Sequence, residues 1–226
     1  KVEKVDLIMN QGDLDYQHSP KIWDSLQAEI LGPKYQMLTV VGNHEMENLQ
    51  GYLTVIKKTV SDVANFNCTG EIGTNYTCKY GDFTFVFTSP ELVGEKHDTY
   101  IKNSFANSKT IWNICSIHFQ LHPSRASVKA AQQQCIKDGA IIAGAHNHIY
   151  ARSPLISDVS KEAVISKTSP ITIEKGKTFA FISGLGGKSV DELQTPWGGQ
   201  DSWWSKVYGK EQSGRSGALF CTLESI

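Results

Sequence analysis

Four short clusters of metal-ligating residue types each stand at the end of an apolar, strand-like run. The runs are Val5 to Met9, Met37 to Val41, Ile111 to Ile117 and Ala140 to Gly144. The clusters are Gly12-Asp13-Leu14-Asp15-Tyr16, Gly42-Asn43-His44-Glu45, Ile114-Cys115-Ser116-Ile117-His118 and Ala145-His146-Asn147-His148. Helical patterns separate the runs, so strands alternate with helices and carry polar residues at their ends. A chain of this kind is a layered α/β protein, and the carboxyl ends of strands are where such folds place their sites.

The helical patterns have clear limits. Ser19 followed by Pro20 opens a helix with Ile22, Trp23, Leu26 and Ile30 at helical spacing, stopped by Gly32-Pro33. Leu49 to Val63 repeats the pattern through Leu53, Ile56 and Val60, and Ala126 to Lys137 predicts a helix closed by Asp138-Gly139. Tyr76 to Thr88 alternates around Tyr80-Gly81-Asp82, which predicts a hairpin, and further strands are expected at Ile171 to Glu174, Phe179 to Ser183 and Ala218 to Leu223. There is no repeat and no low-complexity linker. With 226 residues, 40% hydrophobic and 20% charged, one domain over 1–226 is the expectation.

A formal net charge of -1 gives no global field toward nucleic acid or an anionic membrane. No apolar run approaches the ~20 residues of a membrane span. The chain starts Lys1-Val2-Glu3-Lys4, with no signal peptide and no natural initiation site, which reads as a processed or truncated chain. Asn67-Cys68-Thr69 and Asn75-Tyr76-Thr77 are glycosylation acceptors flanking the cysteine pair Cys68 and Cys78. Together they predict a glycosylated, disulfide-closed surface loop in a secreted protein; free thiols buried in a cytosolic enzyme are the plainer alternative. Cys115, Cys135 and Cys221 leave an odd count, which a partner in a missing segment would explain. Cys115 and Cys135 could pair or simply pack as small apolar residues.

Each cluster has an ordinary structural reading by itself. Gly-Asp after a strand is a common turn, Asn-His-Glu can cap a helix starting near Glu45, and a lone strand-end histidine is usually structural. Four such clusters in one chain, all at strand ends, weigh toward a site. The donors are carboxylate, phenolate, amide oxygen and imidazole. Oxygen and nitrogen without thiolate suit iron, zinc or manganese rather than a structural zinc knot.

The series Gly-Asp-x-x-Tyr, Gly-Asn-His-Glu, a strand-end histidine and His-x-His resembles the purple acid phosphatases, members of the calcineurin-like metallophosphoesterases. The likeness runs from about Val5 to the end and includes Phe181-Ile182-Ser183-Gly184-Leu185-Gly186-Gly187. Tyr16 is its specific element, since other metallophosphoesterases have no tyrosine ligand there. The resemblance implies a layered metallophosphoesterase β-sandwich flanked by helices, and a dinuclear centre. Asp13 would bridge the ions. Tyr16 and His148 would hold the first, ferric iron, and Asn43, His118 and His146 the second, zinc, iron or manganese. His44 would sit beside the phosphate and assist catalysis. Asp15 reads as a turn residue. His18, His97 and His122 read as surface residues, with His122 near enough to His118 to touch substrate.

Two departures from the family pattern stand out. The family's first motif, an aspartate on a first strand, would precede Val5, so the fold is expected to lack that strand and the first ion a carboxylate. Ala145 also stands where glycine is usual, which would be strained if that position needs positive φ. The function expected is hydrolysis of phosphate monoesters, acting on a phosphorylated small molecule or phosphoprotein, in a secreted, lysosomal or vacuolar setting that leaves room for oligomerisation. A glycoprotein that keeps the fold but not the activity, serving an extracellular assembly, is the rival. A phosphodiesterase of the same superfamily is a third reading.

Overall fold

The computed structural model describes residues 5–33, 35–119, 125–159, 163–193 and 204–224. The elements run β1 (Ile8–Asn10), α1 (Pro20–Leu31), β2 (Met37–Thr39), a short 3₁₀ helix (Asn43–Asn48) and α2 (Leu49–Ser61). Next come β3 (Asn67–Glu71), β4 (Asn75–Tyr80), β5 (Phe83–Thr88), α3 (His97–Phe105), β6 (Trp112–Phe119), α4 (Ala126–Lys137) and β7 (Ile141–Ala145). The described chain closes with β8 (Tyr150–Arg152), β9 (Leu155–Asp158), β10 (Ala163–Ser166), β11 (Ala180–Ser183) and β12 (Lys206–Tyr208).

An eight-stranded sheet in the order β12-β8-β11-β7-β6-β5-β4-β3 forms the centre. Its middle strands β5, β6, β7 and β11 are parallel, with α3 and α4 as crossovers, and its flanks are antiparallel. Strand periodicity divides its side chains between two cores. Val86, Cys115, Ile117 and Ile142 face a core shared with α3 and α4. Phe85, Phe87, Ile114 and Ile141 face a second core shared with α1, α2 and the separate parallel pair β1–β2. The second core is tied by a side chain acting as a strand edge. The Tyr76 hydroxyl of β4 donates to the Thr39 carbonyl (2.6 Å) and accepts from the Thr39 N–H (3.1 Å), so buried backbone groups of β2 find a partner.

Several expectations change. Helix α1 forms where its pattern places it, yet only Pro20 and Trp23 are buried. Ile22, Leu26 and Ile30 of the same pattern are 60%, 47% and 67% exposed. The segment holding Cys68 and Cys78 is no loop: β3 and β4 pair as an edge hairpin with the two cysteines directly opposite and bonded. Cys115 and Cys135 also form a disulfide, joining β6 to α4 inside the first core, and Cys221 is free and exposed. Ile171 to Glu174 provides only an isolated bridge from Glu174 to Lys177, and Ala218 to Leu223 forms no strand, having no ladder to join. His97 is buried rather than on the surface, because α3 turns it toward β4, where its Nδ1 meets the Asn75 side chain at 2.7 Å. His122 lies outside the described residues.

Candidate metal centre

The loops after β1 and β2 meet the ends of β6 and β7. Asp13, His118 and His146 bring their ligand atoms within 4.8 Å of one another. His118 Nε2 stands 3.4 Å from Asp13 Oδ2 and 3.1 Å from Asn43 Oδ1. The meeting is close enough to require glycine: a Cβ on Gly42 would run into the Asp13 amide and carboxylate and the His118 ring. On the far side a Cβ on Gly184 would strike the Asn147 carbonyl, so the end of β11 can press on the loop between His146 and His148 only without a side chain.

Buried Glu45 fastens the two loops. Its carboxylate accepts from the N–H groups of Gly42 (2.6 Å), Leu14 (2.7 Å) and Asp13 (2.9 Å). Burial pushes its pKa up to about 7 while these donors pull it down. Every contact to its oxygens is an N–H donor, so the geometry accommodates the carboxylate rather than the acid. The backbone is bent hard at two of the gathered residues: Asp13 and His146 adopt φ 55 and φ 65, a region that costs a side-chain-bearing residue about 1–3 kcal/mol. Ala145 is the last residue of β7 and bears no such strain; the positive φ falls one place later.

Tyr16 and His148 form a second group, hydroxyl to Nε2 at 2.7 Å. His44 connects the groups. Its ring lies 4.2 Å from the Tyr16 ring and its backbone N–H donates to Asp13 Oδ1 (3.1 Å). Lys188 Nζ sits 4.7 Å over the Tyr16 ring. On the opposite side Arg125 stacks on Phe119, whose ring meets those of His118 and His146 edge-on. Ser189 and Asp191 reach His148 Nδ1. Thus the structure gathers Asp13, Asn43, His118 and His146 directly, and sets Tyr16 and His148 beside them through His44. Asp15 is a turn residue as read, its carboxylate accepting from the Gln17 N–H.

The donor chemistry fits a cation. His118 Nδ1 faces the Gln11 carbonyl (2.7 Å), which can only accept, so the proton resides on Nδ1 and Nε2 is a bare lone pair. That lone pair faces a carboxylate and an amide oxygen, three acceptors with no donor among them. His146 Nδ1 is buried without a hydrogen-bond partner. Burial lowers the pKa of both histidines, that of His146 to about 4, so both are neutral at neutral pH, the form in which imidazole can bind a metal. Burial and the nearby Asp13 charge raise Tyr16 to about 12, so its phenolate needs a neighbouring cation to form.

A model of the calcineurin-like phosphoesterases matches residues 1–150 of the 226. The chain belongs to the calcineurin-like phosphoesterase family. No curated protein sequence matches this calcineurin-like phosphoesterase. Among solved structures it is similar to the purple acid phosphatase PPD1 from seeds of yellow lupin (Lupinus luteus), at TM-score 0.67 and 22% identity over 90% of this chain and 40% of the lupin chain. The chain thus spans well under half of that relative, and the likeness shows a shared fold: a large central sheet flanked by helices. A slighter likeness, TM-score 0.46 and 12% identity, links 80% of this chain to 51% of a chain of PhoD and bears on nothing further.

Some neighbours of the site are not legible from motif spacing. Glu45 is visible inside its motif, but its three N–H contacts are not. Gln11, which also accepts from the Ser116 hydroxyl (2.6 Å), precedes its motif unmarked. Ser189 lies 41 residues beyond His148, with no pattern to link them.

Proposed function

We propose that this chain is the metal-binding core of a phosphate monoesterase with a dinuclear centre. The observation that carries the reading is the meeting of Asp13 Oδ2, Asn43 Oδ1 and the bare His118 Nε2, beside the orphaned His146 Nδ1, a set of acceptors that a cation would satisfy together. Asp13, with Oδ2 toward His118 and Oδ1 held by the His44 backbone N–H, would lie between the two ions. Tyr16 and His148 would hold one ion and Asn43, His118 and His146 the other. The phenol favours ferric iron in the first position, and neutral amide and imidazole leave the second, zinc, iron or manganese, electrophilic toward phosphate. Bound there, the pair supplies charge neutralisation for the phosphoryl group and a water of lowered pKa. His44, held through its backbone N–H on Asp13, would present its imidazole to the phosphate and could hand a proton to the leaving group. The substrates are phosphorylated small molecules or phosphoproteins.

The two disulfides fit an oxidising compartment, outside the cell or within a lysosome or vacuole. Asn67, exposed on edge strand β3, is the better glycan acceptor. Asn75 spends its amide N–H on the Glu95 carbonyl and its oxygen on His97.

The test is hydrolysis of p-nitrophenyl phosphate against bis-p-nitrophenyl phosphate by the purified protein, with its metal content and visible spectrum. The monoester is expected to be preferred, with two ions per chain and a tyrosinate-to-iron absorption band. A preference for the diester would favour the phosphodiesterase reading, and a metal-loaded protein that hydrolyses neither would make this a fold kept for another purpose.

A further inference from the structure

Asp191 and Ser189 touch no reacting atom, yet together they decide which nitrogen of His148 carries a proton. The Ser189 hydroxyl is 3.1 Å from Asp191 Oδ1, and a carboxylate can only accept, so Ser189 donates to it. Having spent its hydrogen there, Ser189 Oγ faces His148 Nδ1 at 2.5 Å as an acceptor. His148 Nδ1 must therefore carry the proton, and Asp191 Oδ2, 3.6 Å away, reinforces it. Nε2 is left as a lone pair, and it accepts from the Tyr16 hydroxyl at 2.7 Å. The chain of donors runs one way, from Tyr16 to Asp191, and its direction is set by its only obligate acceptor. Asp191 is itself anchored: its N–H donates to the His148 carbonyl and its own carbonyl accepts from Lys210 N–H, each at 2.9 Å. The carboxylate is thereby tied to the backbone of the residue whose ring it orients.

We infer that Asp191, acting through Ser189, is a positioning residue that imposes on His148 the tautomer with a bare Nε2, and so equips the Tyr16–His148 pair to hold an ion. The inference rests on the metal-binding reading above. Outer hydrogen-bond partners of ligating histidines typically carry 10–100-fold in metal affinity.

The test has two readouts. The first needs no metal: nitrogen-15 NMR of the His148 ring in the metal-free protein. Wild type is expected to show protonated Nδ1 and bare Nε2. Asp191→Asn is expected to show mixed tautomers, because an amide can also donate to Ser189 and reverse the chain. The second is competition for Zn²⁺ with a chromophoric chelator. Asp191→Asn is expected to weaken one of the two sites by about 10–100-fold and spare the other. Glu192→Gln, which removes the charge next to Asp191 that pairs with exposed Lys210 rather than with Ser189 or His148, is expected to match wild type in both readouts. Ser189 is exposed, so Ser189→Ala keeps the fold even where Asp191→Asn does not; it should mix the tautomers, and Ser189→Thr should restore them. A wild-type His148 protonated at Nε2, or an Asp191→Asn protein with wild-type tautomer and Zn²⁺ affinity within about twofold, overturns the inference. Wild type that shows the expected tautomer and binds Zn²⁺ but hydrolyses no phosphoester leaves the inference standing and removes the proposed activity instead.

Discussion

At the scale of single residues, Glu45 shows how one buried carboxylate can set the spacing of two ligand loops. Its oxygens accept from Asp13, Leu14 and Gly42, residues at or next to candidate ligands on two separate segments. Glu45→Gln places an NH₂ donor against an N–H donor and leaves it unsatisfied. The expected cost is about 1–3 kcal/mol in urea unfolding, with bound metal lost alongside. Full stability and full metal content in that variant would mean that the loops hold their spacing without the staple. His97 offers a pH signature away from the centre. Burial holds its pKa below the ordinary 6.5, against the opposing pull of Asp98 and Glu91. As pH falls below the ordinary value, the unfolded chain takes up the proton before the folded one does. Stability is therefore complete above that point and is lost toward the lower folded pKa. His97→Gln should make the fall in unfolding free energy between about pH 7 and about pH 5 shallower; an unchanged slope would exclude His97 as a contributor.

At the scale of elements, the joint between β2 and β4 is the point to test. Tyr76→Phe removes the hydroxyl that satisfies both Thr39 backbone groups in a sealed interior. The variant should lose about 1–3 kcal/mol and show faster hydrogen exchange at Thr39. On α1, Trp23→Ala should cost about 3–5 kcal/mol, whereas Ile22→Ala, at an exposed position, should stay within about 0.5 kcal/mol. The contrast bears on what could be read in advance. The spacing of apolar residues on α1, α2 and α4 predicts helices, and Pro20 and Gly32 bound α1 as Gly139 closes α4, because those signals are local; no such signal bounds α2. The pattern does not say which side of α1 is covered, since that depends on distant segments. Strand β3, with sequence Asn67-Cys68-Thr69-Gly70-Glu71, has no apolar alternation and exists through its pairing and disulfide with β4. Helix α3 begins after a left-handed Lys96 and has no helix-capping side chain, so no start signal marks it. The run at Ala218 to Leu223 is apolar enough for a strand but meets no partner edge; only the nearby Glu224 carbonyl is engaged, by Trp112 Nε1. The candidate ligands are legible in the sequence because each lies at a strand end, within a few residues of an apolar run. The groups that orient them are not, because hydrogen bonds across more than 100 residues, such as Ser116 to Gln11, leave no trace in spacing.

At the scale of the whole molecule, the candidate centre lies across a seam. Asp13, Tyr16 and Asn43 follow the strands of the two-stranded sheet, whereas His118, His146 and His148 belong to the eight-stranded one. Among the described residues, core packing, side-chain bonds from Gln11, Tyr76 and Ser89, and the contacts among the candidate ligands join these two bodies. Ions bound at about 100 times Kd would stabilise the native chain by about 2.7 kcal/mol. Removing them with a chelator should therefore lower Tm by about 5–10 °C, and readdition should restore it. A Tm indifferent to chelation would show that the seam closes by packing alone. A molecule fastened in this way would tie its survival to its metal supply. Where metal is scarce, the seam would open more often, buried backbone would become available to proteases, and the copies without metal would be the ones cleared. The amount of protein that persists would then track the metal supply of its compartment, with no sensor other than the fold itself.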